Sequence, residues 1–131
     1  FEFDVKGELV RKHFVGGLLG HWSVWTQNVV NMFELLKKHR EDISIPSYLL
    51  TLATQVTDCN GAFFDVKNNF KGCIAGIHEV LRRQGLIEGI WCLNPRETLS
   101  PGQKEEIDRV YRMYSHLNDD RFVKQNIDSW K

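Results

Sequence analysis

Apolar residues recur every three or four positions along four stretches of the chain, the spacing that gathers them on one face of an α-helix. Over residues 26–40 the stripe is Val29, Val30, Phe33 and Leu36, with Thr26 as N-cap. The run Lys37-Lys38-His39-Arg40 falls at its end, where cations compensate the helix dipole. Pro46 disfavours helical backbone at the residue before it and suits the first turn of a second helix, carrying Leu49, Leu50, Ala53, Val56, Phe63 and Phe64. Thr57, Asp58 and Asn60 interrupt that stripe, and a buried helix with such a centre needs hydrogen-bond partners or a wet cavity. A third helix holds Cys73, Ile74, Ile77, Val80 and Leu81, with Asn69 as its predicted cap, Glu79 and Arg83 as an i,i+4 pair and Gly85 as its stop. Ser100-Pro101-Gly102-Gln103 has the form of a capping box and opens a fourth helix, with Ile107, Val110, Tyr111 and Tyr114 on one face. A last short helix, capped by Asn118, is predicted over residues 119–127.

Upstream of residue 26 the pattern changes. Residues 1–3 and the glycine-punctuated run Phe14-Val15-Gly16-Gly17-Leu18-Leu19-Gly20 are predicted as two strand-like pieces. Between them, Val5, Leu9 and Val10 among charges predict a short surface helix over residues 5–13, with Gly7 as its weak point. Residues 86–99 form an extended connection containing Ile90-Trp91-Cys92-Leu93. The expected fold is therefore mainly α, about five helices with at most two short strands, divided into residues 1–25 and a helical region over 26–131. Two short parallel-type strands are not a viable sheet, so they imply partners elsewhere. The first residue is Phe1 rather than Met, which fits an upstream segment belonging to a longer protein. Strand followed by helix is also the repeating unit of a parallel barrel.

Composition removes several functions. Apolar residues make up 42% and charged residues 26%, and 17 Lys plus Arg balance 17 Asp plus Glu, so the attraction that drives nonspecific nucleic-acid binding is absent. No apolar run approaches the roughly 18–20 residues of a membrane span. Cys59, Cys73 and Cys92 form no CxxC pair and leave an odd thiol after any single bridge, which points to a reduced, cytoplasmic protein.

With these elements placed, the chain resembles the C-terminal third to half of the dihydrodipicolinate synthase and N-acetylneuraminate lyase family of pyruvate-type aldolases. Gly17-Leu18-Leu19-Gly20 before the Val29 helix is similar to that family's last barrel strand. Gly85-Leu86, Gly89, Pro95 and Leu99-Ser100, continued by Glu105-Glu106-Ile107, follow the order of its C-terminal helical region. The chain departs from the pattern at Asn69-Phe70, where the family has Asn-Pro, at Trp91, where it has Arg, and in a longer extended connection. The resemblance spans roughly residues 14–115. It implies the last strands and C-terminal helices of a (β/α)8 TIM-barrel lyase without a cofactor, active on a 2-oxo acid as a homo-oligomer. It also implies that the catalytic lysine, which forms a Schiff base, lies upstream of Phe1, so that the chain alone is inactive. Leu19 and Gly20 would then line the 2-oxo acid pocket, although the same glycines also suit tight packing.

His21 follows at the edge of that pocket, flanked by Trp22 and Trp25. Its near-neutral intrinsic pKa suits proton exchange or carboxylate binding, while a histidine in such a place also serves to cap or pack. Asp58, Cys59 and Asn60 match no metal-ligand spacing and read as an interhelical network; Asp58 and Cys59 point about 100° apart on a helix. His78 reads as a hydrogen-bonded packing residue. Tyr111, Tyr114, Trp91 and Trp130 suit an oligomer interface. The rival reading is a helical interaction module without catalysis, and a third is a thiol enzyme using Cys59 or Cys73, which lacks an evident base.

Overall fold

The computed structural model describes residues 2–17 and 20–130. It is mainly helical, with five α-helices and one two-stranded sheet among the described residues: β1 (Glu2–Val5), β2 (Glu8–Arg11), α1 (Thr26–Lys38), α2 (Tyr48–Phe63), α3 (Cys73–Arg83), α4 (Gln103–Met113) and α5 (Asp120–Trp130). Short 3-10 turns over Gly20–Ser23, Val66–Asn68 and Ser115–Leu117 join them.

The amino-terminal elements differ from expectation. Residues 5–13 are not a helix, and the sheet is an antiparallel hairpin in register Glu2↔Arg11 to Val5↔Glu8 rather than a pair of parallel-type strands. Lys6 and Gly7 both take positive φ, 57° and 85°, the backbone of a two-residue hairpin turn, and the Gly7 amide donates to Asp4 Oδ1. Residues 14–17, expected to begin a strand, have no regular structure, and neither do Lys12 and His13. The hairpin contacts chiefly itself and leaves Phe3, Val5 and Leu9 exposed, so it gains little from burial.

The core lies where α2, α3 and α4 meet. Cys59, Ala62, Phe63, Val80, Ile107 and Val110 close on one another, and Val24 and Trp25 enter from the segment before α1. Two local devices shape this body. At the end of α3, Gly85 takes φ 74° while its amide bonds the Arg82 carbonyl and the Leu86 amide bonds the Leu81 carbonyl, a Schellman closure. At the start of α4, the Gln103 side chain reaches back to accept from the Ser100 amide at 3.0 Å, one half of the expected capping box. The Ser100 hydroxyl turns away and donates to Asp65. Gln103 is 2% exposed, and its amide also donates to the carbonyls of Gly72 (2.9 Å), Ala62 and Phe63 (3.4 Å each), satisfying groups at the end of α2. Burial opposes ionisation of Asp65, but hydrogen bonds from Ser100, Asn68 and the Gly72 amide outweigh it and hold the carboxyl below its usual range.

Caps differ in places. Asn69 lies in the left-handed region outside α3, whose N-cap is Gly72. Thr26 is inside α1, whose second amide, that of Gln27, is instead capped by Asp119 Oδ2 at 2.8 Å. The Glu79–Arg83 pair forms at 2.9 Å, and Arg82 joins it. His78, expected to be hydrogen-bonded, has a buried Nδ1 with no hydrogen-bond partner among the described residues.

Two glycines of the helical body separate space from flexibility. A Cβ on Gly76 would collide with the Phe63 carbonyl and the Gln103 amide, whereas one on Gly61, within α2, meets nothing within 4 Å. Gly76→Ala is expected to lower stability by about 1–3 kcal/mol through overpacking, and Gly61→Ala to raise it by about 0.4–1 kcal/mol through the unfolded chain's entropy. Urea midpoints of the two variants check this, and equal or inverted shifts contradict the packing described.

Candidate functional site

The site begins with an unusual backbone. Trp25 sits at φ 49°, ψ 40°, a left-handed conformation costly for a bulky side chain, immediately before α1. Its indole, 1% exposed, packs edge-on against Phe63 at 5.0 Å, Tyr111 at 5.1 Å and His21 at 5.8 Å, and Nε1 donates to the Tyr111 hydroxyl at 3.4 Å. This reversal sets the Gly20–Ser23 turn beside α1 so that both border one cleft.

The cleft has a volume of about 550 Å³, within the range of small-molecule sites. Trp22, Val29, Met32 and Phe33 supply apolar wall, Gly17 and Gly20 line the chain's approach, and His21 and Asn60 sit side by side within it. Gly17 is needed sterically, since a Cβ there would meet the Trp22 indole nitrogen. Lys37 and Arg40 complete the lining from the last turn of α1 and just beyond it.

His21 is 7% exposed and its Nδ1 lies 2.9 Å from Asn60 Oδ1. A carbonyl oxygen only accepts, so Nδ1 carries the proton and the neutral ring keeps its lone pair on Nε2. No described group bonds Nε2. Burial pushes the His21 pKa down, against the opposing pull of the Asn60 hydrogen bond and the Asp119 charge. The ring is thus a neutral acceptor at pH 7, held in one tautomer.

Of the residues expected at the pocket, Gly20 and His21 lie together on the cleft, and Leu19 falls outside the described residues. Asn60 belongs with them; its sequence signal was its polar place in the apolar stripe of α2. Lys37 and Arg40 also reach the cleft, in addition to ending α1. Asp58 forms the expected network, receiving both Arg109 guanidinium nitrogens at 2.8 Å and the Tyr114 hydroxyl at 2.8 Å, and the Arg109 bonds hold its carboxyl below the usual range. Tyr111 and Tyr114 therefore bond within the chain, whereas Trp91 and Trp130 stay exposed. Cys59 is fully buried, and desolvation pushes its thiol up to about 12, which removes the thiolate a nucleophile needs. Every described lysine is exposed. Among the described residues no three His, Cys, Asp or Glu side chains gather as a metal site, and no helix is long and apolar enough to cross a membrane.

The chain matches no protein-family model, no curated protein and no solved structure.

With the His21 pKa lowered on folding, the unfolded chain takes up the proton first, so stability declines as pH falls below 6.5 toward the folded value. In an NMR titration the His21 ring is expected to show a midpoint below 6.5, and Asn60→Ala to lower it further by removing the bond that favours the cation. A midpoint at or above 6.5 contradicts a buried, neutral His21.

Proposed function

We propose that this chain is the C-terminal portion of a Schiff-base-forming lyase of the (β/α)8 type acting on a 2-oxo acid, in which the Gly20–His21 cleft forms part of the substrate wall. The imine lysine comes from a segment outside residues 1–131. One observation carries this reading: a small-molecule cleft runs along α1, whose apolar face is partly open, with Val30 41% and Leu36 44% exposed. Such a face calls for a covering segment. The ordered matches at Gly85-Leu86, Gly89, Pro95 and Leu99-Ser100 are the support for choosing the lyase family. A cytoplasmic location and a homo-oligomer belong to the same proposal, with Trp91 and Trp130 as exposed aromatics suited to subunit contacts.

The division of labour follows from desolvation. An amine adds to a 2-oxo carbon only as the free base, which a buried or charge-crowded lysine supplies and a solvated surface lysine does not. Addition followed by loss of water gives an iminium; the bond between the carbon next to the iminium and the hydroxyl-bearing carbon beyond it then breaks, its electron pair forming an enamine while that hydroxyl loses its proton and leaves as an aldehyde. The exposed lysines of this chain lack the burial that prepares the amine.

The helical interaction module remains as a second reading, favoured by the closure of α2, α3 and α4 around a core of their own. Borohydride reduction of the intact parent protein with pyruvate separates the two. One labelled lysine, located outside residues 1–131, is expected. Labelling within residues 1–131 contradicts the assignment of the nucleophile, and no labelling at all favours the interaction module.

A further inference from the structure

We infer that the cleft along α1 is a binding site for a small amphipathic carboxylate: an apolar chain or ring carrying one anionic head group. The inference concerns binding alone and does not rest on the Schiff-base reading.

The cleft has two chemically different ends. Val29, Met32, Phe33 and Lys37 line it from one face of α1, Met32, Phe33 and Lys37 lying three, four and eight residues beyond Val29, and Arg40 lines it from the turn that follows the helix. At 1.5 Å of rise per residue, Lys37 stands roughly 12 Å along the axis from Val29. The inner end is apolar, with Trp22 edge-on to Phe33 at 5.6 Å, and closes on the neutral His21–Asn60 pair. The outer end carries the two cations, and among the described residues the lining includes no Asp or Glu.

That asymmetry selects the ligand. Water is displaced from the apolar wall by a hydrocarbon tail, and a single negative head placed at the outer end meets Lys37 and Arg40. The opposite orientation would bury a charge beside the neutral His21 imidazole, at a desolvation cost and away from Lys37 and Arg40. Lys37 now bonds Glu34 at 2.7 Å and lies 5.3 Å from the Phe33 ring centre, and Arg40 bonds Glu41 at 3.2 Å. Both pairs are about half exposed or more, so they contribute little and exchange readily for a ligand head. A volume of about 550 Å³ exceeds what a three-carbon acid fills, so the tail is of medium length.

The test titrates the 131-residue chain with octanoate and, in parallel, octanol, by calorimetry and by amide chemical shifts. Saturable octanoate binding is expected, at least tenfold tighter than octanol, with shifts centred on residues 20–22 and 29–40. The double variant Lys37→Glu, Arg40→Glu should weaken octanoate at least tenfold and leave octanol unchanged, so that octanol reports whether the apolar wall survives. No saturable binding overturns the inference. So do equal affinities for the two probes, shifts centred on other elements, or affinity that falls as protein concentration rises because a second copy of the chain covers the face.

Discussion

The indole of Trp25 is the contact on which the arrangement of this chain depends. α1 buries only Val29 of its own residues, too little to seat it on the remaining helices. Trp25 supplies the missing area: a large side chain, fully withdrawn from water, set among Phe63 of α2, Tyr111 of α4 and His21 of the preceding turn. The left-handed backbone at this residue is the cost, and the aromatic packing offsets it. Asp119 adds a second tether by capping the Gln27 amide, and Asn28 bonds the Asn118 carbonyl at 2.8 Å. Together these hold the cleft wall, formed by α1 and the Gly20–Ser23 turn, against a body built without it.

That body is held differently. Asp65, Ser100, Gly72 and Gln103 form a polar knot in which each buried donor and acceptor is matched, and Gly76 lets the α3 backbone approach it closely. A buried glutamine serving three carbonyls fixes one relative placement of α2, α3 and α4, which hydrophobic contact alone would leave loose. The molecule therefore grades from a tightly specified helical body, through a clamped cleft wall, to an amino-terminal hairpin with Val5 and Leu9 exposed.

What could be read from sequence follows the range of the interactions. The stop at Gly85, the Glu79–Arg83 pair and the Gln103 half of the capping box are local, and all three are present. The hairpin is hidden in the sequence because Val5 and Leu9 fit helical spacing as well as the alternation of Phe3 and Val5, and the positive φ at Lys6 leaves no mark in composition. Long-range caps were equally invisible: nothing in residues 26–28 announces an aspartate 92 positions away. Within the site, Asn60 could be read as needing a partner, but its pairing with His21 spans 39 residues and only the fold brings them together. The helix dipole gives Lys37 and Arg40 a sufficient local reason, which conceals their place on the cleft.

The central claim is that Trp25 clamps a weakly held cleft wall onto a body that stands without it, and native-state hydrogen exchange on Trp25→Leu addresses it directly. Amides of α1 should lose most of their protection while those of α2, α3 and α4 in the knot keep theirs, because sub-global opening would release the wall alone. Equal loss of protection in α1 and in the three core helices, or no loss in α1, would contradict the account.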